Sequence, residues 1–213
     1  MKLSKDNMII TMDTEIGANG EEIARALSDM LRIPCYGAEI LDKAAELSGI
    51  PAAQLHRYDG KPVHAAYDLL ADDDTPLRMR PAADFITAQV AACRALAAQG
   101  SCILVDRHAS MALEGTENLV RIYVHADFED RAARVSGETG KALEETRRSL
   151  HREDRTRRSY YRGNHKGWGE ADSYDLSVNA SDADAATLAG TVLGFLRTMA
   201  GELPAEQRER KAV

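Results

Sequence analysis

The chain is poor in the residues that announce a function on their own. It has one tryptophan and three cysteines in 213 residues, and only 5% of it is aromatic. Cys35, Cys93 and Cys102 are widely spaced, with neither a CxxC pair nor a Cys/His ligand pattern. That excludes a disulfide-stapled scaffold and a zinc finger, and predicts buried free thiols of the kind a reducing cytoplasm preserves. No apolar run approaches the roughly 20 residues of a membrane span. The opening MKLSKDNMIITM lacks the apolar core and small-residue cleavage site of a secretion signal. Six histidines (His56, His64, His108, His125, His151 and His165) show no metal-ligand spacing with a third ligand nearby, so no metal site is predicted from them. Ser101, Ser110 and Ser136 stand in no nucleophile-elbow context. A net charge of −7 argues against general nucleic-acid binding. The expectation is a cytoplasmic protein with small-molecule partners, no nucleic acid and no membrane.

What is present is an alternation of strand and helix patterns. Period-2 and continuous apolar signals predict strands near residues 8–12, 102–106, 120–125 and 175–179. Helical periods fill the gaps at 22–31, 38–47, 83–99, 128–135, 143–161 and 184–199, with Asp127 placed to cap one helix and Ser181 or Asp182 another. With 44% hydrophobic residues the chain can bury one sizeable core. Strands alternating with helices predict an α/β fold: a parallel sheet covered by helices on both faces. Residues 38–82 break the rhythm with turn signals and short helices, and read as a helical insertion. One domain is thus expected over 1–201, with a polar tail at 202–213.

The first strand–turn–helix, IITMDTEIGANGEEIARAL, is the arrangement that binds phosphate. Backbone N–H groups converge at a small-residue turn, Gly17, Ala18, Asn19 and Gly20, and the helix dipole favours an anion. Yet a standard P-loop reads GxxxxGK followed by Ser or Thr, with the lysine on the β/γ-phosphates. Glu21 and Glu22 stand here instead. The cradle is there, but its side-chain charge has the wrong sign. Its place suits a ligand, because open α/β sheets bind ligands beyond the carboxyl ends of their strands.

Two further segments carry positive charge. Asp106-Arg107-His108 closes a strand, where an arginine either clamps a phosphate or pairs with a neighbouring loop. Residues 147–166 hold eight Lys/Arg against two acids, Glu153 and Asp154, in a helix that runs into a Gly/Trp loop. Such concentration in an acidic protein points to a polyanion, most economically a nucleotide's phosphates, and to an arginine-bearing lid at about 143–172.

Together these segments resemble the cytidylate kinase-like family, a branch of the P-loop nucleoside monophosphate kinases. IITMDTEIGANGEEIA is similar to its IITISREYGSGGREIA-type opening, and IPCYGAEILDKAAELSGI to its IPYYDxELIxxAAxxSGI-type segment. GSCILVDRHAS matches a strand ending in Asp-Arg, and DRTRRSYY with GWGEADSYDLSVNAS matches the lid-and-strand signature. The resemblance implies ATP with Mg²⁺ as cofactors, a CMP-like acceptor, and a P-loop kinase fold. It implies a phosphate loop of Gly17, Ala18, Asn19, Gly20, Glu21 and Glu22, and a catalytic set of Arg157, Asp154 and Arg107. Asp42, Arg107 and Arg158 would bind substrate, within a monophosphate-binding insertion and a lid. Tyr174 and Asp175 would flank the adenine or open the last strand. Two family arginines, before the loop and after its last glycine, are Thr14 and Glu21 in this chain. Either Mg²⁺ recruiting Asp13 or Glu22, or a lid arginine (Arg155 or Arg158), would then make up the charge. A non-catalytic anion-binding module and a small-metabolite kinase are the alternatives.

Overall fold

The computed structural model describes residues 7–59, 81–164 and 167–201. Five parallel strands lie in the order β2-β3-β1-β4-β5: β1 (Ile9–Thr14), β2 (Cys35–Tyr36), β3 (Cys102–Val105), β4 (Leu119–His125) and β5 (Leu176–Asn179). β1 is central and every one of its residues is buried, which is why it reads as an unbroken apolar run rather than an alternation. Its register sets Met12 beside Val105 and Ile122, so β3 ends two residues before β1 and β4 runs one residue beyond it.

Helices cover both faces. On one, α1 (Gly20–Leu31) and α8 (Ala185–Met199) bury Ile23, Leu27, Leu188 and Val192 against Ile10, Met12 and Val124. On the other lie α2 (Glu39–Ser48), α3 (Ala52–Tyr58), α4 (Pro81–Ala97) and the single turn α5 (Ala109–Ala112), around Ile9, Ile40, Leu41, Ala92 and Leu104. The two strand faces thus feed two cores, as alternating Cβ directions require. The four longer strands and all the expected helices are present. β2 is an addition: two residues paired to Ile103 and Leu104 are too short to show a period. α8 is capped by the side chain of Asp184, which accepts from Thr187 N–H, rather than by Ser181 or Asp182. Ser181 accepts instead from Asp127 N–H. The described part of the expected insertion is helical, and its remainder, 60–80, lies outside the described residues, as does the tail from 202.

α6 (Phe128–Thr139) and α7 (Leu143–Asn164) pack side by side above the ends of β1 and β4. Thr146, Leu150, Asp154, Arg157 and Tyr161 recur every three or four residues on α7 and form its inward face. Tyr160 and Tyr161 join Tyr123, Trp168 and Tyr174 in an aromatic cluster, with Tyr161 and Trp168 stacked 5.0 Å apart. This cluster seats α7, and the return to β5, over the strand ends.

Candidate functional site

Two glycines shape the turn between β1 and α1. Gly17 has φ of +76°, and a β-carbon there would lie 2.8 Å from Val135 Cγ2. At Gly20 a β-carbon would sit 2.4 Å from Thr14 Oγ1, so only glycine lets the strand end close on the helix. Ala18 is fully buried and pins the turn to the core. Asn19 caps α1 in a left-handed conformation without a side-chain hydrogen bond, so no capping side chain claims the first-turn N–H groups. A phosphate is the natural ligand of such a terminus.

Glu15 and Glu21 near this turn face arginines, most of them from other elements. Glu15 lies 3.3 Å from Arg131 Nε and accepts from Ala126 N–H. Arg131 also donates to the Ile16 carbonyl and to both oxygens of Asp154, at 3.0 and 2.8 Å. Arg134 donates to the carbonyls of Gly17 and Ala180. Two arginines one turn apart on α6 therefore hold the loop from its carbonyl side, leaving the N–H side outward. Asp154 serves here to orient Arg131. Glu21 faces Arg25 at 3.7 Å and Arg107 at 3.6 Å, while Glu22 is exposed on the first turn of α1.

Asp106 follows β3. Its Oδ1 accepts from Thr14 N–H at 3.1 Å, and its Oδ2 lies 2.6 Å from Arg157 Nη2. Arg157 reaches down from α7, donates to the Thr14 carbonyl and lies over the Tyr161 ring. Among the described residues its Nε has no hydrogen-bond partner. Burial is the largest single influence and opposes its charge, but Asp106, Tyr161 and Asp59 together outweigh it and keep the guanidinium more basic than usual. Asp106, Arg107 and His108 have φ of 59°, 51° and 62° in succession, three non-glycine residues in the left-handed region. Each such residue costs about 1 kcal/mol or more, and strain of this kind gathers at functional sites. Hydrogen bonds from Asp106 N–H to Met12 O and from Arg107 N–H to Tyr161 OH hold the segment.

Beside Asp106, at the end of β1, Asp13 is 1% exposed. Burial, and then the Asp106 charge, push its pKa up to about 7, against hydrogen bonds from Tyr174 and Ser110 and the pull of Arg157. The Tyr174 hydroxyl donates to Asp13 Oδ2 at 2.8 Å.

Of the residues singled out from sequence, Gly17, Ala18, Asn19, Gly20, Arg107, Asp154, Arg157 and the acids Glu21 and Glu22 converge on this end of the sheet. Asp42 does not: it pairs with His56 at 2.9 Å and joins α2 to α3. Arg158 lines two clefts. One, of about 330 Å³, also borders Glu15, Tyr123, His125 and Trp168; the other, of about 810 Å³, runs between α6 and α7 past Phe128, Arg131, His151 and Arg155. Arg131 and Arg134 escaped the sequence reading, because EDRAAR has mixed charge. Their spacing of three, just after the strand beside β1, was the available signal.

A Mg²⁺ ion accompanying a nucleotide needs one or two carboxylates beside the phosphates. Asp106 and the exposed Glu22 are oxygen donors of that class. Among the described residues no group of three or more metal-ligating side chains occurs. No described helix is long and apolar enough to cross a membrane.

Comparison with known proteins identifies the family and the fold. The cytidylate kinase-like family model matches residues 9–182. No curated protein matches the sequence significantly. Among solved structures, an uncharacterized protein from Eubacterium ventriosum superposes with a TM-score of 0.68 at 22% identity, covering 90% of this chain and 99% of that one. A gluconokinase from Sinorhizobium meliloti gives 0.53 at 12% identity, over 92% and 94% of the two chains. A shikimate kinase from Acinetobacter baumannii gives 0.52 at 13% identity, over 90% and 93%. At these identities the likeness is one of fold, that of the small P-loop kinases.

Proposed function

The chain belongs to the cytidylate kinase-like family, and on that footing we propose that it is a phosphotransferase moving the γ-phosphoryl group of Mg·ATP to a small acceptor. The acceptor that the resemblance implies is a nucleoside monophosphate of the CMP kind. The observation that carries the reading is Arg157. It reaches from α7 to the Thr14 carbonyl and Asp106, and so brings a guanidinium to a phosphate loop that has no lysine of its own. Phosphoryl transfer asks little covalent chemistry of the protein. It asks for positioning and for cations around the transferring group.

In this reading the N–H groups of the Gly17–Gly20 turn hold the β-phosphate. Arg157 turns from Asp106 toward the transferring group, and Arg158 and Arg155 meet the polyphosphate from the cleft. Mg²⁺ would be held by Asp106 and Glu22 and supplies charge neutralisation when bound. Asp154 keeps Arg131, and through it the loop, in place.

ADP release from Mg·ATP, with purified protein and a panel including CMP, dCMP, UMP, AMP and uncharged alcohols, tests this. Acceptor-dependent turnover near the roughly 1–100 s⁻¹ usual for kinases supports it. Folded protein that binds no ATP excludes it. A second reading, a non-catalytic anion-binding module, is favoured by one observation: Glu15, Glu21 and Asp106 already occupy arginines at the loop. ATP binding without turnover on any acceptor would select it.

A further inference from the structure

We infer that the Tyr161 hydroxyl is a further ligand-binding group of this site, a hydrogen-bond donor to the transferring phosphoryl group beside Arg157. The inference rests on the phosphotransfer reading above and deepens it, since it names a contact that distinguishes the γ-phosphate from the rest of the nucleotide.

Tyr161 stands one turn after Arg157 on the same face of α7 and is 1% exposed. Its ring is fixed on several sides. Trp168 stacks on it at 5.0 Å with the planes 11° apart, His108 lies 4.9 Å away, and Tyr160 meets it edge-on at 5.0 Å. The Arg157 guanidinium carbon is 5.1 Å from its centroid. A ring held in this way has one place for its hydroxyl, and that place is the end of β3. There the oxygen accepts from Arg107 N–H at 3.3 Å, within the run of three left-handed residues.

The hydroxyl's own proton is not used. Among the described residues no acceptor receives it, whereas Tyr160 gives its proton to Gln89 and Tyr174 gives its proton to Asp13. Burial pushes the Tyr161 phenol well above its ordinary pKa, so the proton stays on. A buried donor without an acceptor is costly, and each one in a folded protein calls for an explanation. Accepting from Arg107 N–H also polarises the hydroxyl and strengthens the bond it can give. The charges that reach it are those of Arg157, Asp106 and Asp59, so it stands between the arginine at the phosphate loop and the Asp59–Arg107 pair. Arg157 rests on the Tyr161 ring, and a phosphoryl group that Arg157 grips is therefore brought next to this hydroxyl. A phosphoryl oxygen is the acceptor that the phenol lacks. The phenol keeps its proton throughout and adds a neutral donor to the charge of the guanidinium.

Calorimetric titration of a non-hydrolysable Mg·ATP analogue and of Mg·ADP isolates the γ-phosphate, because the two ligands share the rest of the nucleotide. Tyr161→Phe keeps the ring and its stack and removes only the hydroxyl. The wild-type protein is expected to prefer the analogue. Tyr161→Phe should lower that preference at least ~10-fold while Mg·ADP affinity stays within ~2-fold. A role in packing alone would weaken both nucleotides together. An unchanged preference in the folded variant overturns the inference, and so does equal binding of the two nucleotides by the wild type. Should Tyr161→Phe not fold, the wild-type protein decides by proton NMR: the buried Tyr161 hydroxyl resonance should move downfield with the analogue and not with ADP, and no shift overturns the inference. Wild-type protein that binds neither nucleotide would instead remove the phosphotransfer reading, and the inference with it.

Discussion

The two flanks of the phosphate loop solve opposite electrostatic problems. Toward β2 and β3, Arg107 is enclosed by Asp59, Glu21 and the Val105 carbonyl, so its charge is spent inside the protein. Toward β4 and β5, Arg134 is satisfied by carbonyl dipoles, which fill its donors without cancelling its charge. Arg155 and Arg158 border a cleft of about 810 Å³ there. A P-loop lysine would have set both sides of the loop at once. Without it the charge comes from helices flanking the loop, and it comes from one side. The magnitudes make the difference matter. Two unit charges about 5 Å apart interact by about 3 kcal/mol at an effective dielectric near 20, so one misplaced carboxylate outweighs a good hydrogen bond.

Arg157 stands between the flanks, and removing it is expected to have the largest effect. Arg157→Ala should lower turnover at least ~100-fold, about 2.7 kcal/mol, while Arg157→Lys, which keeps the charge and loses the fork, should lose less. Steady-state kinetics on both variants check this, with circular dichroism to confirm folding; an unchanged rate removes the residue from the mechanism.

Asp13 sharpens the comparison from below. With its pKa raised from 3.8 to about 7 in the folded protein, it is protonated in the fold at pH values where the unfolded chain has released the proton. Stability from this group is therefore greatest below pH 4, falls as pH rises toward 7, and is level above. Asp13→Asn should remove that slope and raise stability at pH 8 by on the order of 2 kcal/mol. Urea melts across pH read it directly, and an unchanged slope would mean that Asp13 is ionised throughout.

A smaller effect is expected on the cation-rich side. Arg155→Ala with Arg158→Ala should weaken Mg·ATP binding about 10-fold and flatten its salt dependence, leaving acceptor affinity unchanged. If acceptor affinity fell instead, the two flanks would have to be exchanged.

Much of the fold was legible because it is written in local patterns. β1, β3 and β4 are largely apolar runs, β5 alternates apolar and polar residues, and α1 and α7 carry inward stripes. β2 was not, since Cys35 and Tyr36 form a strand only by pairing with Ile103 and Leu104. In the candidate site, the glycine turn and the excess of arginine on α7 were visible as composition. The pairing was not. Arg131 meets Ile16 across 115 residues of sequence, Asp106 meets Thr14 across 92, and Arg107 meets Asp59 across 48. The loop's charge looked wrong in sign because Arg131 and Arg107, which face Glu15 and Glu21, belong to elements that only the fold brings near. Thr14, standing where the family opening has arginine, is packed onto Gly20 and has no room to act as a cation's substitute.

The most direct test of the central claim, that flanking arginines replace the missing lysine for a polyphosphate, is equilibrium binding of Mg·ATP to the wild-type protein and to Arg155→Ala/Arg158→Ala. Micromolar-to-millimolar binding that weakens in the variant and with added salt is the predicted result. Folded wild-type protein that binds no Mg·ATP in the millimolar range, or binding that ignores both arginines, would contradict it.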